Sequence, residues 1–213
     1  MKTILIGLLA LLGFSPFIAK KCFYHDQQSV TQILEARHSG NFFDPNKHVT
    51  ANQIKSLIHA AQLTPSSYNE QPWNFIICDK SINSEAYDKV FNTLHQFNQN
   101  WAKNAQVLAV ITASTNYSKN NHANTSAQYD TGAAALSMAI QATALGLMTH
   151  QIAGFDTEEL TKLLNLPSDV IPLSVMAIGY EDLTRSTTRT KERKPITENF
   201  FQDSWGSINN YWQ

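Results

Sequence analysis

Apolar positions recur along this chain at two spacings, about 3.6 residues for helices and two for half-buried strands, with short continuous runs for buried strands. Val30, Ile33, Leu34 and Ala36 approximate a helical face over residues 29–37, which ends at the polar cluster Arg37-His38-Ser39-Gly40-Asn41. Phe42-Phe43-Asp44-Pro45 then breaks regular structure. Ile54, Leu57, Ile58 and Ala61 form one face of a second helix, announced by Thr50 and Gln53 at capping-box spacing, an arrangement worth about 1 kcal/mol. Trp73 to Cys78 reads as a short strand centred on Ile76 and Ile77. Tyr87, Val90, Phe91, Leu94, Phe97 and Trp101 recur at helical spacing, and the stripe reads as core rather than as a cofactor box.

Val107 to Ala113 reads as a buried strand, and residues 114–128, rich in Asn, Ser, Thr and His, as an exposed loop. From Thr131 to Leu145 there is no charge and the apolar surface runs almost all round, which predicts a helix central to the domain, with Gly146 placed to stop it. Asp156 and Glu159 repeat the capping-box spacing before Leu160, Leu163 and Leu164, and Val170 to Tyr180, interrupted by Pro172, ends as a strand. Helices and strands mixed in this way around one wholly buried helix give a layered α+β or α/β domain, without internal repeats.

Composition narrows the functional classes. With 213 residues, 43% of them hydrophobic, the chain buries a sizeable core. Sixteen basic against seventeen acidic residues leave a net charge of -1, with no electrostatic footprint for nucleic acid. Two cysteines, Cys22 and Cys78, make no disulfide framework, and Cys78 falls in a strand pattern as a small buried hydrophobe. The seven histidines lack H-E-x-x-H or paired C-x-x-C spacing, which argues against a zinc site.

Residues 1–22 read as a hydrophobic targeting or anchoring segment ahead of a domain over 23–213. At roughly 1.5 Å per residue its apolar run reaches about 24 Å, short of a bilayer core of about 30 Å. Phe17 is a poor residue three before a cleavage point at Ala19, and Lys20 and Lys21 favour keeping the domain on the cytoplasmic side. Signal peptide, membrane tether through residues 3–19 and amphiphilic extension all stay open, with export the alternative to a cytoplasmic-side location. At the other end, Phe200, Phe201, Trp205, Tyr211 and Trp212 are too aromatic for a solvated tail, and pack either on their own domain or on a second subunit.

The chemistry centres on Pro65-Ser66-Ser67-Tyr68-Asn69-Glu70-Gln71-Pro72-Trp73. Two prolines hold an irregular backbone that presents Ser66, Asn69 and Gln71, a set suited to the edge of a planar ligand. Taken alone it reads equally as a helix-to-strand connection. The same holds for Arg37 to Ser39 as a solvated helix end, Lys191 to Lys194 as a solvated face and Gly154 as a turn. Together they suit a ligand with a phosphate at one end and a heterocycle at the other, as in a flavin mononucleotide. No nucleophile triad, P-loop or dinucleotide fingerprint is present.

Arg37-His38-Ser39, the P-S-S-x-N-x-Q-P-W loop from Pro65 to Trp73, Gly154-Phe155-Asp156 and Lys191-x-Arg193 resemble, in the same order, the motifs of the FMN-dependent nitroreductase family, over about residues 28–200. The resemblance implies an α+β fold, with a mainly antiparallel sheet flanked by helices, and a homodimer with two flavin sites across its interface. It implies that Arg37, His38, Ser39, Lys191 and Arg193 hold the FMN phosphate and ribityl chain, with Asn41 beside them where the family usually has a basic residue. Asn69 would meet the pyrimidine edge, with Pro65, Ser66, Ser67 and Gln71 in the same wall. The Gly154 N–H would lie near flavin N5, with Ala153 where some members carry glutamate. The implied activity is transfer of hydride from NAD(P)H to FMN and onward, by a ping-pong route, to a small electron-poor acceptor such as a nitroaromatic or quinone. No side-chain acid or base is required, because the cofactor carries the chemistry. Other reactions on this fold (dehalogenation, flavin cleavage, oxidation), or an exported binding protein that has lost flavin, are the alternatives.

Overall fold

The structure is a computed structural model, described here for residues 29–185 and 192–207. The amino-terminal segment, Cys22, Lys191, Arg189, Tyr211 and Trp212 lie outside the described residues.

The helices begin where local chemistry says they should. Ser29 and Gln32 form a full capping box on α1 (Val30–Ala36), and Thr50 and Gln53 form another on α2 (Ala51–Gln62). A 3-10 turn at Ser67–Asn69 leads into β1 (Trp73–Asp79), followed by α3 (Ser84–Asn92) and α4 (Gln96–Ala102). Then come β2 (Val107–Ser114), α5 (Ala127–Ala144), β3 (Met148–Ile152), α6 (Thr157–Leu163) and β4 (Val170–Gly179). Gly146, at φ 71°, ends the α5 region in the left-handed conformation that glycine adopts without a Cβ penalty. Asp156 caps α6 through its own carboxylate, accepting from Glu159 N at 2.9 Å.

The four strands form one antiparallel sheet in the order β1-β2-β4-β3. Its two central strands are buried on both faces. Leu108 and Val110 of β2, with Val175 and Ala177 of β4, join Tyr87, Val90 and Leu160 on one side. Val107, Ala109, Ile111, Met176 and Ile178 face Leu57, Ala61, Met138 and Ala142 of α2 and α5 on the other. This explains why β2 reads as an unbroken apolar run rather than an alternating one. Pro172, which has no N–H to donate, is accommodated where the β2–β4 register jumps from Ile111↔Ser174 to Thr112↔Pro172, leaving Leu173 as the extra residue of a bulge.

Four expectations change. The aromatic stripe from Tyr87 to Trp101 is two helices rather than one, broken at Thr93–His95, and Phe97 is 75% exposed instead of core. No residue of α1 is fully buried among the described residues: Ile33 is half-buried, and Val30 and Leu34 are exposed. Residues 114–126 are not a featureless loop: Asn116 pairs with Ala123, Asn124 is buried, and Ser118 N donates to Glu70 Oε1 at 2.6 Å. The uncharged helix has one uncovered side, with Tyr129 and Leu136 exposed. Phe200 and Trp205 are likewise exposed, while Phe201 is half-buried and packs against the Trp205 ring.

Among the described residues no helix is long and apolar enough to cross a membrane. Cys78 is a free, buried thiol whose pKa is pushed up by burial. In the same core Tyr87, 1% exposed, donates its hydroxyl to the Ala105 carbonyl at 2.8 Å. Tyr87→Phe strands that carbonyl and is expected to cost about 1–2 kcal/mol, read as a lowered midpoint in urea denaturation.

Candidate functional site

Two groups of polar residues stand apart in the chain. The first is the segment 37–44, which docks on the carboxyl-terminal end of β4. Asp44 N donates to Tyr180 O at 2.8 Å, Asp182 N to Phe42 O at 2.9 Å, and Phe43 bridges Glu181. Arg37 caps α1 through its backbone, and its guanidinium makes no ion pair with a described residue. His38 reaches Glu181 Oε1 through Nε2 at 2.9 Å and the Ala36 carbonyl through Nδ1 at 3.0 Å. Ser39 is half-buried and Asn41 keeps its Oδ1 buried without a hydrogen-bond partner. The unpartnered buried oxygen of Asn41 and the Arg37 guanidinium, without an ion pair among the described residues, are acceptor and donor capacity that the fold leaves unused.

Gly154 lies along the same edge of the sheet, two residues past Ile152, which pairs with Val175. It follows edge strand β3, and α4 connects it to the first group. Asn98 Nδ2 donates to the Gly154 carbonyl at 2.9 Å, while one turn on Trp101 stacks on His150 at 4.3 Å between ring centroids. His150 in turn meets the Gly40 carbonyl through Nδ1 at 3.1 Å. The Gly154 N–H donates to no described residue.

The second group is the loop before β1, at the opposite edge of the sheet. Its backbone is held in an unusual shape, with Tyr68, Asn69 and Gln71 all at positive φ (53°, 57° and 53°). Local hydrogen bonds secure it: Gln71 N donates to Ser66 Oγ at 2.9 Å, Gln71 Nε2 to Asn69 O at 3.2 Å and Ser67 N to the buried Asp130 carboxylate at 3.0 Å. Pro65 is exposed, and the Asn69 side chain makes no hydrogen bond to a described residue. Gln71 thus supports the loop, and Asn69 is the amide left to face outward.

The two groups do not meet within one chain. The loop is tied to the start of β4, through Ser114, which takes Pro72 O at 2.8 Å and pairs with Val170. The first group is tied to its far end at Tyr180 and Glu181. At roughly 3.3 Å per residue, the strand between them is about 30 Å long. Arg193 is exposed, and Lys194 pairs with Glu198 at 3.8 Å.

The nitroreductase family profile matches residues 34–180, most of the chain. The chain belongs to the nitroreductase family. Among curated relatives, an oxygen-insensitive NADPH nitroreductase of Helicobacter pylori is 32% identical over 87 residues, 40% of this chain and 39% of that protein. A major NAD(P)H-flavin oxidoreductase of Aliivibrio fischeri is 29% identical over 89 residues, 42% of this chain and 41% of that protein. The chain therefore spans about two fifths of the length of these relatives in the matched region. A crystal structure of an oxidoreductase containing FMN superposes with a TM-score of 0.76 at 26% identity, covering 85% of this chain and 96% of that one. The all-antiparallel sheet with helices on both faces agrees with the α+β family fold implied by the sequence motifs.

Several residues that hydrogen-bond or pack against the candidate segments were not legible in sequence. Asn98, His95 and His150 carry no local motif, and Asp130 is signalled only as a lone acid at the head of an uncharged helix. Glu181 follows a strand with nothing to mark it. Among the described residues no group of His, Cys, Asp or Glu is arranged to hold a metal ion.

The His38–Glu181 pair makes a testable electrostatic statement. Burial opposes charge on His38, but the Ala36 carbonyl and the Glu181 carboxylate outweigh it and raise the imidazole above its ordinary value. A raised folded-state pKa gives stability that is complete below the unfolded value and is lost as the pH rises through the folded one. The side chain is 43% exposed, so screening limits the effect to about 0.5 kcal/mol. Urea midpoints are expected to fall slightly from about pH 6 to about pH 8, with this component absent in His38→Gln.

Proposed function

We propose that this chain is an FMN-dependent oxidoreductase that takes hydride from NADH or NADPH and delivers electrons to a nitroaromatic, quinone or similar electron-poor small molecule. The observation that carries the reading is the pair of complementary half-sites. One offers an unpaired guanidinium, a free serine hydroxyl and an unclaimed backbone N–H at Gly154. The other offers a loop braced by its own hydrogen bonds, with the Asn69 amide making none to a described residue.

The donor set fits FMN. Arg37 and Ser39, with Lys191 and Arg193, would bind its phosphate, since planar guanidinium and hydroxyl donors match phosphate oxygens. The buried, unpartnered Asn41 oxygen is suited to a ribityl hydroxyl. Asn69 carries both an amide donor and a carbonyl acceptor, the combination a pyrimidine edge requires. The Gly154 N–H would donate beside flavin N5. Bound FMN supplies hydride acceptance and release; the chain binds, orients and excludes water, which is why no side-chain acid or base is part of the proposal.

Because the half-sites lie at opposite edges and ends of the sheet, one chain does not supply both to a single mononucleotide. The reading therefore includes a homodimer in which the loop of one copy completes the other copy's site. The exposed apolar residues Val30 and Leu34 of α1, Tyr129 and Leu136 of α5, and Phe200 and Trp205 are surface that such a partner would cover. NAD(P)H use places the chemistry on the cytoplasmic side. The apolar segment 3–19 as a tether, rather than an export signal, belongs to the same proposal.

Reconstitution with FMN is expected to give a flavin absorption spectrum, a dimeric mass by sedimentation and NAD(P)H oxidation dependent on a nitroaromatic or quinone. Absence of a flavin spectrum would overturn the proposal. Asn69→Leu is expected to weaken FMN binding about tenfold, the equivalent of one charge-free hydrogen bond lost from a buried edge, read from quenching of flavin fluorescence.

A further inference from the structure

The stretch that follows β3 is fastened to the head of α4 with more hydrogen bonds than a turn needs. His95 N donates to the Gly154 carbonyl at 3.0 Å, and Asn98 Nδ2 donates to the same oxygen at 2.9 Å. Two residues on, Asp156 N donates to Thr93 O at 2.7 Å, and Phe155 bridges Leu94. Both lone pairs of the Gly154 carbonyl are thus engaged, which fixes the plane of the 154–155 peptide and with it ψ at Gly154.

Backbone conformation does not explain the glycine, because Gly154 is not among the residues at positive φ. Space does. A Cβ built on Gly154 would lie 2.6 Å from Asn98 Nδ2 and 3.2 Å from His95 Nδ1. Asn98 therefore occupies the side of Gly154 where any other residue would carry its side chain, and clamps the carbonyl from there. Nothing described takes the Gly154 N–H on the remaining side.

We infer that Asn98 is a positioning residue, whose amide clamps the Gly154 carbonyl and so anchors the Cα from which the free N–H of the preceding peptide unit projects before any ligand arrives. The inference rests on the flavoenzyme reading above, in which that N–H serves flavin N5. A donor preset by the fold needs no reorganisation when charge shifts at its acceptor, and this is where such a hydrogen bond has most effect on rate. Asn98 acts through the Gly154 backbone, to whose carbonyl its amide donates. It lies on a helix rather than in a motif loop, and no spacing in the sequence points to it.

The test uses Asn98→Leu, which keeps the volume and removes the donor, and Asn98→Ala as a second neutral variant should the first fail to fold. Each is loaded with FMN and compared with the wild-type holoenzyme. Flavin reduction by NAD(P)H is expected to fall about tenfold while KM and FMN affinity stay within about threefold. The flavin midpoint potential is expected to shift as well, because the donor facing N5 has been loosened. In the flavin-free protein, hydrogen exchange at the Asp156 amide is expected to quicken. Faster exchange with unchanged reduction rate and potential would make Asn98 a structural tie only and overturn the assignment. Parallel loss of FMN affinity, rate and thermal stability would do the same. A wild-type protein that takes up no FMN would bring down the flavoenzyme reading itself and the Asn98 assignment with it.

Discussion

Burial of β2 and β4 on both faces is the constraint from which the rest of this architecture follows. An antiparallel sheet can leave one face to water, but Val107 to Ala113 and Val175 to Ile178 present apolar side chains above and below. Helices must then cover both faces, α2 and α5 on one and α3 with α6 on the other. What remains for polar chemistry is the perimeter: the ends of the central strands, the two edge strands and the turns that feed them. Each candidate site segment whose packing is defined, namely 37–41, 65–71 and Gly154, lies on that perimeter.

The perimeter segments are held in different ways. The loop before β1 keeps three non-glycine residues in the left-handed region, a conformation that costs of order 1 kcal/mol or more for each. It persists because Ser66, Asp130 and Glu70 bind it from within and from two neighbouring elements. The 37–44 segment behaves instead as a short extension of the sheet, adding backbone hydrogen bonds beyond the end of β4. A rigid wall on one edge and a strand-like shelf on the other are the two surfaces that the proposed dimer would bring together, each from a different copy of the chain.

Much of the fold could be read in the sequence because it depends on local signals. Thr50/Gln53 and Asp156 start their helices, Gly146 stops α5, and uninterrupted apolar runs mark the strands buried on both faces. The stripe from Tyr87 to Trp101 misled because apolar spacing alone does not register the three-residue break at Thr93–His95 between α3 and α4. The motif residues at 37, 65–71 and 154 were legible through a family resemblance rather than through physics alone. What could not be read was the second rank of contacts: Asp130 to Ser67, Asn98 to Gly154, His150 to Gly40. These join residues far apart in sequence through single side-chain atoms, and no periodicity encodes them. The uncovered face of α1 was similarly hidden, since an amphipathic pattern states that a face will be covered but not by which molecule.

Helix α4 has only seven residues, yet two of them three positions apart reach toward the separate landmarks of one half-site, Asn98 to Gly154 and Trp101 through His150 to Gly40. Residues at that spacing share a helical face. The helix therefore works as a ruler. A residue inserted or deleted between these positions would swing one attachment by about 100° relative to the other, whereas a change of length in the turn ahead of α3 would leave their spacing untouched. Natural variation in chain length should accordingly be tolerated before Ser84 and resisted between His95 and Trp101, although neither stretch carries a residue of the recognisable motifs.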